Sequence, residues 1–347
     1  MSIDAHVSKK IRNASCIAAI AVVGIHTAGL RLEQLSVGSS IWYLELLGSY
    51  SLFQVAVPFF FLCSGYFLAG HMQEAGWWRR ECRKRIHSLL VPYLVWSFVF
   101  ALIPFVPRFA SILLHGHIAS LHQVLSWRFW LNALGANPFS WPGLVPLWFV
   151  RSLLVFVVIS PVLKELFAKI GWGTLLVLYA VSLATGIYGL HSSGKPYLFL
   201  TKFVSVSGLF YFGCGMYGRL SGIRLPQKGH AIALFLGLFI MLLKGYCRMM
   251  DIKCIAPFGI PFLLFGLWKF VPQWSFPQWL TNATFAIYVL HMVVWRTLSL
   301  VCPLPVETVW QWGLKWLSGV GGALMVSMAL NRFFPKTAAF LFGGRGR

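Results

Sequence analysis

Acidic side chains are scarce in this chain. Only 8 Asp and Glu stand against 29 Lys and Arg in 347 residues, and charged residues of both signs make up 11% of the sequence. A water-soluble domain carries roughly a quarter of its residues as charges, so composition excludes one. No repeat of fixed period and no low-complexity linker divides the chain. The 7 cysteines show no metal-ligand spacing. Cys16, Cys63, Cys214 and Cys302 lie in or beside apolar runs, where a thiol behaves as a small hydrophobe. Cys247 and Cys254 flank "RMMDIK" and could form a disulfide. Strict polar–apolar alternation is also missing: runs such as "IALFLGLFIMLLKG" do not suit a membrane β-barrel.

What fills the chain instead is apolar sequence, 58% of all residues, with a mean hydropathy of +0.74. Helices satisfy their own backbone hydrogen bonds in lipid, so long apolar runs from end to end predict an all-α polytopic membrane protein. About ten spans are expected, near 14–30, 50–70, 86–106, 145–163, 171–190, 203–218, 230–244, 255–270, 281–301 and 310–331. A single domain over 1–347, with no appended soluble domain, follows from that reading. The net charge of +21 clusters between spans rather than along one stripe. That pattern fits the basic excess of cytoplasmic loops and not a nucleic-acid surface. It predicts both termini in the cytoplasm.

The longest connection, 107–144, is placed on the outer side. It holds His115, His117 and His122, with Trp127, Trp130 and Trp141 suited to the headgroup level or to stacking on sugar rings. The three histidines lack a nearby carboxylate or cysteine, so no metal is expected there.

Ionisable residues inside spans are functional candidates. In "ASCIAAIAVVGIHTAGL" (14–30), His26 lies about 20 Å along the first helix. "VPFFFLCSGYFLAG" (57–70) carries Ser64–Gly65, a small pair that lets helices approach closely. "WWRRECRKRIHSLLVPYLVWS" (77–97) places Arg83 and Arg85 in a basic cluster able to attract a phosphorylated ligand. "PLWFVRSLLVFVVISP" (146–161) carries Trp148 and a charged Arg151. "NATFAIYVLHMVVWR" (282–296) puts Tyr288 and His291 three residues apart on one helical face.

These five stretches, in this order, resemble the acyltransferase-3 family of integral membrane acyltransferases. The matching fragments are "VVGIHT", "FFFLCSGY", "KRIHSLLVPYLVW", "LWFVRSLL" and "IYVLH". The resemblance implies transfer of an acyl group, commonly acetyl, from acetyl-CoA or another acyl-CoA in the cytosol. The implied acceptor is a hydroxyl of a glycan, lipid-linked sugar or other exported molecule. The acyl-CoA is a co-substrate, and no bound cofactor is implied; with no organelle signal in the chain, the resemblance also implies a bacterial inner-membrane location. His26 matches the histidine on which the family depends, either as general base or as a transient acyl carrier. The family's arginine eleven residues earlier is replaced here by Ser15. Arg12 lies within roughly 40° of the His26 face and is the substitute candidate for the donor phosphates, with Arg83, Arg85 and Arg151. Two other classes stay open on the residues alone. One is a transporter or flippase of a glycolipid or small anion, lined by His26, Arg151 and His291. The other is an inactive membrane subunit of a glycan-assembly complex.

Overall fold

A computed structural model describes residues 5–28, 32–107, 126–191, 194–223, 226–248, 256–302 and 305–344. Every regular element among them is helical. The main helices are α1 (Ala5–Thr27), α2 (Ala56–Ala69), α3 (Trp77–Arg85), α4 (Val91–Leu102), α5 (Trp148–Ile170) and α6 (Gly173–His191). They continue with α7 (Val206–Leu220), α8 (His230–Arg248), α9 (Ala256–Trp268), α10 (Thr284–Leu298), α11 (Val309–Phe333) and α12 (Pro335–Leu341).

Within the described residues, each of the ten expected segments overlaps a helix. Five continuous helical runs are long and apolar enough to cross a membrane: Ser40–Ala69, Trp77–Phe105, Val145–Ile170, Phe199–Leu220 and Val309–Phe333. Shorter apolar helices occupy Gly173–Gly186, His230–Leu243, Phe258–Trp268 and Thr284–Leu298. The protein is therefore an all-α membrane protein.

α2 and α7 approach each other closely. A Cβ on Gly65 would stand 2.0 Å from the carbonyl oxygen of Phe212, and one on Gly215 would stand 1.9 Å from that of Leu62. Backbone meets backbone at both points, which is the role expected of the small pair at 64–65. Phe61, Phe156 and Phe212 fill the layer beside this contact and bring α5 against α2 and α7.

Pro161 removes one N–H from the middle of α5 and so leaves the Val157 carbonyl without its helical donor. The Ser160 hydroxyl takes that place, donating to Val157 O at 2.7 Å. The helix thus continues through the proline.

α1 is fixed at both ends. Near its start, Asn13 Nδ2 donates to the carbonyls of Pro272 and Trp274 (2.9 and 2.6 Å), and its Oδ1 accepts from Phe276 N–H. Lys10 lies over the Trp268 ring at 4.6 Å. Further along, Trp316 Nε1 donates to Ile20 O, and Ser49 Oγ donates to Gly24 O at 2.9 Å. The second bond satisfies a carbonyl of the last turn, which has no partner within the helix. Asn13→Ala removes three hydrogen bonds from a residue only 1% exposed. A loss of about 2–3 kcal/mol is expected, at roughly 1 kcal/mol per bond, read as a lowered Tm of the detergent-purified protein.

Among the described cysteines, Cys16, Cys63, Cys82 and Cys214 are free thiols. The side chains of Cys247 and Cys254, and His115, His117 and His122, lie outside the described residues.

Candidate active site

α1 and α10 run side by side and place the two span histidines against each other. The rings of His26 and His291 stack with centroids 5.5 Å apart and planes 29° from parallel. His291 is fully buried, and His26 is partly open to a cavity. The Nδ1–H of His291 donates to Ile287 O at 3.1 Å, its own helix's carbonyl one turn back. That bond puts the proton on Nδ1 and leaves Nε2 as an acceptor, buried without a hydrogen-bond partner.

The cavity encloses about 260 Å³ and is lined by His26, Phe100, Met292, Trp295, Arg296, Ser299 and Lys315. Trp295 stands edge-on to His291 with ring centroids 5.3 Å apart. Its indole N–H donates to Lys315 O at 2.9 Å, and the Lys315 ammonium sits 5.2 Å over its ring. A capping box sets the position of Lys315. Thr308 Oγ1 accepts from Gln311 N–H, and Gln311 Oε1 accepts from Thr308 N–H, which fixes the first turn of α11. Glu45, 1% exposed, is near enough to attract Lys315. The Ser49–Gly24 bond holds its segment, Ser40–Ser49, to the end of α1.

Such a site offers a proton acceptor at His26, a cation at Lys315 and an aromatic wall. Its chemistry suits nucleophilic attack on a carbonyl with charge building on oxygen. Glu45, Trp295 and Lys315 were not among the expected site residues. Lys315 carries a readable signal, a charge inside an apolar run. Glu45 carries a fainter one, an acid between apolar residues in a chain that has few acids.

The remaining expected residues lie elsewhere. Arg12 and Arg83 are exposed, and Arg85 is partly buried with its Nη2 3.3 Å from Glu81 Oε2. Ser15 Oγ donates to Ile11 O within α1. Ser64 is half-buried on α2 and does not line the cavity. Trp148 packs on Phe61 and edge-on to Trp141. Arg151 donates to Gly135 O, Ser140 O and Lys202 O at 2.6, 3.1 and 2.7 Å. Tyr288 donates to Pro146 O and sits edge-on to Phe149. Among the described residues, no group of three or more His, Cys, Asp or Glu could hold a metal ion.

A helical membrane protein with a buried histidine stacked on a second that opens to a cavity lined by Arg296 and Lys315 is the class this geometry defines. Its sequence matches the acyltransferase-3 family, described as an acyltransferase domain, over residues 11–332, and the chain belongs to that family. It is similar to the succinoglycan biosynthesis protein ExoH of Rhizobium meliloti (strain 1021), 26% identical over 197 residues. The similarity covers 54% of this chain and 46% of that protein, so it spans under half the relative's length. No solved structure matches the chain.

Proposed function

We propose that the protein transfers an acyl group, acetyl in the simplest case, from a cytosolic acyl-CoA to a hydroxyl of an exported glycan. Family membership makes it a membrane acyltransferase, and the similarity to a succinoglycan biosynthesis protein supports a polysaccharide acceptor. The observation that carries the finer reading is the stacked His26–His291 pair at the edge of the cavity.

In this reading the bundle is one domain of ten crossings with both ends in the cytosol. Arg12, Arg83 and Arg85 hold the donor's phosphates at the basic face. Arg12 lies fourteen residues before His26, about 21 Å along α1. An extended pantetheine arm is of similar length, so the nucleotide stays at the basic face while the thioester reaches the histidine. His26 takes the proton of the acceptor hydroxyl as its oxygen attacks the thioester carbonyl. The C–S bond breaks, and the thiolate leaves with the proton that His26 returns. Lys315 faces the developing oxyanion.

The experiment compares wild-type and deletion strains by mass spectrometry of surface glycans, with labelled acyl-CoA donors of increasing chain length supplied to membranes. Label entering a glycan only when the protein is present supports the reading and sets the acyl length. No transfer from any acyl-CoA overturns it. Lys315→Met tests the charge at the carbonyl. Removing one donor to an oxyanion typically lowers kcat by about 10²–10³, so a fall of that size is expected, with KM for the donor little changed.

A further inference from the structure

The cavity beside His26 lies at the end of the bundle away from the basic cluster of α3. α1 and α10 both start where Asn13 meets the carbonyls of Pro272 and Trp274, and α11 runs back from the opposite end. Ser49 reaches Gly24 near the end of α1, so α2 begins at that opposite end and returns the chain to α3 at the starting one. His26 is the next-to-last residue of α1. Arg296 is five residues beyond His291 on α10, about 7.5 Å further out, and Ser299 caps that helix about 4.5 Å beyond. Lys315 stands within the first two turns of α11. His26 is therefore the inner wall of the cavity, with Arg296, Ser299 and Lys315 toward its outer part.

Charge in this outer part is one-sided. Arg296 and Lys315 both line the cavity and no acid does. Lys315 has Glu45 near it. Among the described residues, ion pairs are made by Glu74 and Glu81 alone, at the other end of the bundle, so no carboxylate is within ion-pair distance of Arg296. A cationic side chain serving as a plain membrane anchor extends toward the headgroups. The Arg296 guanidinium instead lies over the Phe100 ring at 6.0 Å, on a residue that also lines the cavity. That ring covers one face of the guanidinium and leaves its N–H edge to a ligand. The planar fork of N–H groups matches an oxyanion such as a carboxylate or phosphate. The cavity walls, Phe100 and Trp295, are aromatic surfaces of the kind that pack against sugar rings. Ser299 Oγ spends its proton on Arg296 O at 2.8 Å, so it offers only lone pairs, suited to accept from a ligand hydroxyl.

We propose that the acceptor is an acidic sugar, carrying a carboxylate or a phosphate, and that Arg296 holds this anion on the outer side of His26 and so sets acceptor specificity. With the anion fixed at Arg296, a hydroxyl of the same sugar unit is presented to the imidazole, while Lys315 stays with the thioester carbonyl. The transfer rests on the acyl-CoA reading above, whereas the binding of an acidic sugar does not.

The probes are methyl glucuronide, its uncharged methyl ester and glucose 6-phosphate, each offered with labelled acyl-CoA to the full-length protein in detergent. At least one of the two anionic probes is expected to be acylated with a kcat/KM tenfold or more above that of the ester. Preference for the glucuronide assigns the anion to a carboxylate, and preference for the sugar phosphate assigns it to a phosphate. Arg296→Gln is expected to raise KM for the preferred anion about ten- to a hundredfold, the worth of hydrogen bonds between charged groups, with kcat changing less. Arg296→Lys is expected to recover part of that loss. Equal kcat/KM for all three probes, or an equal fall for anion and ester in Arg296→Gln, overturns the proposal. A loss in Arg296→Gln that appears only with an acyl-CoA ending in a carboxylate, whatever the acceptor, also overturns it by placing the anion on the acyl group. Binding is read separately, without donor, as the rise in Tm at matched ionic strength. The rise is expected with the anionic probe, smaller with the ester, and lost in Arg296→Gln. Such a rise with no acyl transfer to any probe would sink the proposed function and leave the acidic ligand standing. Absence of both the rise and the kinetic preference overturns the acidic ligand.

Discussion

His26→Ala is expected to abolish acyl transfer while leaving the protein in the membrane at its normal level. General acid–base catalysis by a positioned side chain contributes typically about 10²–10⁴-fold, and the second histidine cannot substitute. The Nδ1 of His291 is engaged by Ile287 O, and the ring is sealed from the cavity. Its structural cost should be small, because His26 opens partly onto existing empty space and α1 is fixed elsewhere by Asn13, Ile20 and Gly24. The check is transfer from labelled acyl-CoA by purified protein, with Tm measured on the same preparation. A fall in activity matched by a fall in Tm would assign His26 to packing. Full activity with an unchanged Tm would remove it from the chemistry.

Gly65→Ala is expected to be among the most damaging single-methyl changes at the described glycines. The added carbon would lie 2.0 Å from a backbone oxygen on α7, and no side-chain rotation can relieve that contact. Separating the helices forfeits packing along both, so a loss of about 3 kcal/mol or more is expected, at the upper end of overpacking costs. Gly215→Ala should behave alike. The double variant should cost less than the sum, since one displacement relieves both contacts. Thermal unfolding in detergent, together with the amount reaching the membrane, measures the effect. Tm values within a degree or two of wild type would show that the two helices separate freely.

Hydropathy located the elements because burying apolar surface and satisfying backbone groups act locally, segment by segment. The expected segments overlap helices among the described residues for that reason. His26, His291 and Gly65 were also legible, as a polar group or a missing side chain where lipid-facing sequence should have neither. Their partners were not. The stacking of His26 on His291 depends on the register of α1 against α10, which no spacing within either helix encodes.

Arg151 illustrates the limit best. A buried guanidinium announces that it needs acceptors, yet those it finds are main-chain carbonyls, which leave no mark in the residue string. The same gap hid the partners of the connection before α5, whose portion from Leu134 to Pro146 takes hydrogen bonds from Tyr93, Arg151 and Tyr288. Glu45 escaped notice for a related reason: it stands in a segment read as a connection, and only tertiary packing brings it to Lys315.

The tight seam between α2 and α7 also constrains the order in which the chain can be completed. Gly65 leaves the ribosome 147 residues before Phe212. At about 5–20 residues per second, α2 waits roughly seven to thirty seconds for the surface that matches it. During that interval its glycine notch faces lipid or the insertion machinery. The first half of the chain is thus a client for membrane quality control until the second half arrives, and a nascent chain halted before α7 should be degraded rather than stored.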